Sequence, residues 1–261
     1  MRGRLTFIAL MAFALAVLPA GGGARALESW ASVRDSASDG ARPEVAQASQ
    51  IQRAALPTGC TRGGPPFRTH GLDGKKRIAI GFDDGPSDWT PKVLRVLREN
   101  DSHATFFEIG QETAGRAEIM HKVLAQGNEI GNHTLHHEMN PSSGSLAQTN
   151  RLIRQATGFR PCDFRPPDGR VNQGLIERAK AERLETIDWD IDPRDWTDPG
   201  VGAIASNVIR HAHNGSIVVM HDGGGDRSQT IAALAEILPK LRHRGYTFVT
   251  VAEVLGHHFI Y

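Results

Sequence analysis

The sequence points to an α/β chain, a (β/α) barrel, complete or distorted, of about seven units, on three counts. Short apolar, β-branched stretches alternate with longer stretches of helical period from Lys75 onward. That alternation implies parallel strands joined by helical crossovers. The polar clusters of the chain also fall just after the strands, where the βα loops of a barrel converge. Seven strands suit a barrel, complete or distorted, better than an open doubly wound sheet, although the alternation fits both.

The series begins at residues 77–82, where Ile78, Ala79 and Ile80 make a short buried strand. Residues 88–100 follow as a helix, with Val93, Leu94, Val96 and Leu97 on one face. Strand 104–109 and helix 112–126 come next, then a brief strand at 129–132 and a helix at 145–157. A short strand at 162–164 precedes a helix at 173–182, and strand 184–191 precedes helix 201–213. The apolar run at 216–220 is a strand, 228–244 a helix, and 247–251 closes the series.

Upstream of this series the composition changes. Met1-Arg2-Gly3-Arg4 is a basic start, residues 5–18 are largely apolar, and Ala24-Arg25-Ala26 resembles a cleavage site. The apolar run is shorter than the ~18 residues of a membrane-spanning helix. Residues 1–26 therefore read as a signal peptide, and the chain as exported, periplasmic or secreted. Residues 27–74 are rich in Ala, Ser, Gly, Pro and Arg without a sustained apolar period. They read as a low-complexity linker or loosely packed N-terminal arm ahead of a domain at 75–261.

Charge excludes some partners. Removing Arg2, Arg4 and Arg25 from the 30 Lys and Arg leaves 27, against 29 Asp and Glu. A near-neutral chain without a basic block is not built for nucleic acid or an anionic membrane surface. Beyond the leader no transmembrane segment is visible, and the oligomeric state is not readable. The glycine run Gly223-Gly224-Gly225-Asp226 lacks the G-K-[ST] ending of a phosphate-binding loop. Cys60 and Cys162, in an exported chain, either pair as one disulfide or remain two thiols.

Five clusters carry the chemistry. Gly81-Phe82-Asp83-Asp84-Gly85-Pro86 ends the first strand, and His133-Thr134-Leu135-His136-His137 follows the third. Two imidazoles and one carboxylate can hold a divalent cation and leave positions for water and substrate, while the second carboxylate accepts a proton from that water. The spacing of His133 and His137 places both rings on one side of a helical turn. Arg165-Pro166-Pro167-Asp168-Gly169, Asp192-Pro193-Arg194-Asp195-Trp196 and Val219-Met220-His221 complete the set. Each alone has an ordinary reading as a turn, a solvated helix face, a surface pair, a helix cap or a core histidine. Five at strand ends make coincidence a poor account.

In type and order these clusters resemble the motifs of the polysaccharide deacetylases of the NodB homology type, carbohydrate esterase family four, over roughly two-thirds of the chain. The resemblance implies a distorted (β/α) barrel and removal of N-acetyl groups from N-acetylglucosamine-containing polymers or oligomers of chitooligosaccharide or peptidoglycan type. It implies Asp83 as catalytic base and Asp84, His133 and His137 as ligands of a divalent metal, zinc ahead of cobalt or nickel. Arg165 would orient the base, and His221, oriented by Asp192, would be the general acid. Pro167 and Asp168 would form the oxyanion turn. Trp189 and Trp196 are candidates for stacking on a sugar or for core packing. Two departures stand out: Gly81 replaces the usual Thr, and Asp168 an aromatic residue. The same machinery would serve an O-acetyl esterase on xylan-like polysaccharide, or a carbohydrate-binding protein that keeps the metal without turnover.

Overall fold

The protein is described by a computed structural model over residues 55–72 and 74–261. The expected leader at 1–26 lies outside the described residues. Ten strands run in the order β1 (Gly59–Cys60), β2 (Phe67–Arg68), β3 (Arg77–Gly85), β4 (Thr105–Glu108), β5 (Glu129–Asn132), β6 (Asp163–Phe164), β7 (Glu185–Ile187), β8 (Ile217–His221), β9 (Thr247–Val249) and β10 (Phe259–Ile260). Between them lie α1 (Thr90–Glu99), α2 (Ala117–Ala125), α3 (Ser143–Thr157), α4 (Gln173–Ala181), α5 (Val201–His211), α6 (Ser228–His243) and α7 (Val251–Val254).

Parallel pairing runs β2-β7-β6-β5-β4-β3-β8, with β9 on the first residues of β3. A single bridge from Ile191, just past β7, to Val218 of β8 turns the sheet into a ring. The expected α/β barrel is therefore present, closed by one bridge and in that sense distorted. Six strands make the ring, and the seventh of the expected series, β9, props the foot of β3.

Alternation along each strand sorts the core. Ile78, Ile80 and Phe82 of β3 pack outward against helix residues such as Val93, Leu94, Leu97, Leu234 and Leu238. Ala79, Phe107, Ile187 and Ile217 fill the inside of the ring, with Val251 and Leu255. The turn into α7 plugs the base: the Val251 amide donates to Thr105 Oγ1 at 2.8 Å and the Ala252 amide to Glu129 Oε2 at 3.0 Å.

Two expectations about elements are corrected. Residues 55–72 are not a loose arm. β1 pairs antiparallel with β10, β2 extends the sheet beside β7, and Cys60 is disulfide-bonded to Cys162. Composition missed this because backbone pairing and a covalent link substitute there for apolar burial. The helix expected at 112–126 is broken into a 3₁₀ turn, Gly110–Thr113, and α2, with Gly115 at φ 74° between them. That left-handed backbone cannot continue a right-handed helix.

Candidate active site

Consecutive residues of a regular strand point to opposite faces, so Asp83 and Asp84 should diverge. A bulge prevents it. Asp83 pairs with Phe107 and Gly85 with Glu108, leaving Asp84 as the extra residue at φ 73°. Both carboxylates thereby reach the mouth of the ring at the C-terminal ends of the strands. His133 follows β5 directly, but the segment to His137 is not the helical turn expected from the spacing. It is a loop, with Thr134 at φ 69° and His137 at φ 61°. Two left-handed residues fold the chain back and bring the imidazoles to 5.1 Å between centroids.

Asp84 Oδ1 lies 3.5 Å from His133 Nε2 and 3.4 Å from His137 Nε2. These donors fit a divalent cation on two observations. Asp84 Oδ1 is buried and accepts no hydrogen bond. His133 Nδ1 sits 2.8 Å from the Arg165 carbonyl oxygen, so its N–H donates there and Nε2 keeps its lone pair for a ligand. Burial would push Asp84 up, but His133 beside it, with His221 and His137, holds it well below the usual carboxylate range.

Asp83 is held from inside the ring. Arg165, fully buried, donates from Nη1 to Asp83 Oδ1 at 2.8 Å, and its guanidinium lies 4.1 Å from the Phe107 ring centre. Gly81 is what admits it: a Cβ there would stand 2.1 Å from Arg165 Nη1. Across the mouth, His221 Nδ1 pairs with Asp195 Oδ1 at 2.8 Å. Asp195 Oδ2 accepts from the His221 amide and from Thr230 Oγ1, at 2.9 and 2.7 Å. Burial disfavours charge on His221, yet the Asp195 hydrogen bond and charge, with Asp83 and Asp84 behind it, raise its pKa overall.

The expectation that Asp192 orients His221 is therefore corrected to Asp195. Asp192 Oδ1 instead accepts the Arg194 amide at 2.7 Å, closing its own turn. Both aspartates sit in one short motif three residues apart, and only the fold decides which one faces the histidine. The cavity of about 580 Å³ at the mouth is lined by Asp83, Asp84, His133, His137, His221, Asp168, Trp189, Asp192 and Trp196, all expected from the sequence. Arg165 and Pro167 are buried behind it. Trp196 is half exposed at the rim, and Asp168 stands at φ 55° with its carboxylate toward solvent. Sequence reasoning missed Arg170, Gly224 and Arg227 in the wall. The glycine run was the available signal: a Cβ at Gly223 would lie 1.9 Å from the Asp84 carbonyl oxygen.

Fold and site together define the class: an α/β barrel with a carboxylate–bis-imidazole group that could hold a cation, flanked by an arginine-held carboxylate and an aspartate-held imidazole. The chain belongs to the polysaccharide deacetylase family, whose sequence pattern matches residues 70–187. It is 44% identical over 191 residues to a peptidoglycan-N-acetylglucosamine deacetylase of Bacillus cereus, spanning 70% of this chain and 90% of that one. A chitooligosaccharide deacetylase of Sinorhizobium fredii is 34% identical over 191 residues, spanning 66% and 89%. Among solved structures, the Bc1960 peptidoglycan N-acetylglucosamine deacetylase superposes with a TM-score of 0.70 at 27% identity, covering 73% of this chain and 93% of that one. A family pseudoenzyme from Bacillus anthracis gives 0.68 at 28% identity, covering 74% and 70%.

Proposed function

We propose that this chain is a metal-dependent hydrolase that removes N-acetyl groups from N-acetylglucosamine-containing polysaccharide or oligosaccharide, of chitooligosaccharide or peptidoglycan type, releasing acetate. The observation that carries it is the pairing of two oriented proton carriers, Asp83 under Arg165 and His221 under Asp195, across the Asp84–His133–His137 group. A divalent cation on that group, for which zinc is our candidate, supplies Lewis acidity at an amide carbonyl oxygen.

The chain's own residues divide the remaining work. Asp83 accepts a proton from the attacking water, with Arg165 fixing which oxygen faces it. His221 donates a proton to the amide nitrogen, because an unprotonated amine is a poor leaving group. One C–O bond forms and one C–N bond breaks, giving acetate and a glucosamine unit. The turn at Pro167 and Asp168 is our candidate for the backbone donor to the developing oxyanion, and Trp189 and Trp196 for walls against the sugar rings. We infer export as well. The leader-like residues 1–26 and the Cys60–Cys162 disulfide support it, and among the described residues no helix is long and apolar enough to cross a membrane.

The test is acetate release from N-acetylated chitooligosaccharides, peptidoglycan and acetylated xylan, each with and without chelator. Release from the first two, lost with chelator and restored by zinc, is expected. Release from xylan alone would move the activity to an O-acetyl esterase. Binding of the sugars with no release from any, metal restored, would leave a non-catalytic carbohydrate binder.

A further inference from the structure

The inside of the ring is polar at both ends. Two positions before Arg165, inward-facing alternation brings Asp163 to the base, beside Glu129 of β5 and Glu185 of β7. His257, from the segment after α7, closes against them. Asp163, Glu185 and His257 are all buried, and each offers a donor atom within 4.8 Å of the others. Asp163 is fully buried, and no N–H or hydroxyl donates to either of its oxygens. His257 Nε2 lies 3.7 Å from Glu185 Oε2, 3.2 Å from the Gly63 amide nitrogen and 2.8 Å from the Gly63 carbonyl oxygen.

We propose that Asp163, Glu185 and His257 form a second divalent-cation site, at the base of the barrel, remote from the reacting centre. Two carboxylates and an imidazole are a donor set for a zinc-class ion. The competing account is a proton shared between Asp163 and Glu129. Burial, with Glu129 and Glu185 close by, does push the Asp163 carboxyl well up. One proton satisfies one oxygen, however, and leaves the other Asp163 oxygen unpaired. Thr105 and Ala252 both engage Oε2 of Glu129, so Oε1 is the oxygen that could share that one proton. Of the neighbouring cations, Arg68 Nε is 3.4 Å from Glu185 Oε1 and Arg62 lies at the surface. Arg165 also faces Asp163 but is committed to Asp83. An ion there would tie residues 62–72 and the C-terminal segment to β6 and β7, a role in stability and not in turnover.

The test uses the full chain, zinc as the only probe, and zinc content with thermal unfolding as readouts. Wild type is expected to hold two equivalents. The double variant His133→Ala/His137→Ala is expected to keep one, with its unfolding midpoint raised by zinc by about 5 °C or more. Adding Asp163→Asn to that background should abolish both the uptake and the shift. No zinc in the double variant overturns the proposal, as does uptake that survives Asp163→Asn; one equivalent in wild type that the double variant keeps counts against the Asp84 site alone. Should Asp163→Asn fail to fold, the double variant still decides, because it leaves the base untouched.

Discussion

Asp83 and Asp84 are neighbours with different attachments, and substitution should separate them. Asp83→Asn keeps the shape but cannot accept a proton, so turnover should fall about 10²–10⁴-fold while zinc content stays at the wild-type level. His133→Ala should instead lower zinc affinity at this site, read by titration against a chelating dye. An Asp83→Asn variant with wild-type turnover would refute the base assignment. The structure likewise separates Asp195 from Asp192. Asp195→Asn removes the charge that favours protonated His221, so the alkaline limb of the rate–pH profile should move to lower pH and the rate drop about 10²-fold or more. Asp192→Asn should leave that limb in place, and a shift there instead would restore the sequence-based assignment. The types and order of these side chains were readable because acid, base and metal chemistry need them. The choice between two aspartates three residues apart was not, since it depends on a side-chain direction set at β8 and Thr230.

Elements were readable where periodicity was long and regular. α1 buries the face expected of it, Val93, Leu94, Val96 and Leu97. What escaped were devices one residue wide. The bulge at Asp84 and the left-handed backbone at Thr134, Gly115 and His137 follow no hydrophobic period, yet they aim the site and end a helix. β1 and β2 escaped for a different reason, being two residues each and held by partners far along the chain. The disulfide there has a measurable weight. Cys60 and Cys162 are 102 residues apart, and closing so long a loop removes unfolded-state entropy. Replacing both with Ser should lower stability by about 2–4 kcal/mol, seen as an earlier urea midpoint. An unchanged midpoint would show that β1–β10 pairing holds the segment without it.

The ring as a unit carries carboxyl groups that resist ionisation. Burial pushes Glu185 up to about 7 despite Arg68 and Arg62. Burial, with Asp84 and Asp83 nearby, likewise raises Asp222 to about 7. Each binds its proton more tightly folded than unfolded, so the metal-free chain should lose stability as pH rises from about 4.5 to 7, with the loss complete above that. Urea midpoints across that range, in chelator, measure it, and a midpoint that rises through the window would contradict the raised values. The barrel itself was visible as repeating strands and helices; its closure by one bridge was not, because a single pair leaves no pattern in sequence. Gly59 faces Ile260 across the β1–β10 ladder, at the pole where β6 begins, while the reacting groups crown the opposite pole. The polypeptide enters and leaves through one door, so cutting the chain in an exposed loop and splicing residues 59 and 260 together should yield a circular permutant with its catalytic crown undisturbed. A carrier fused at either of those ends hangs behind the crown and leaves the approach of a long sugar chain clear.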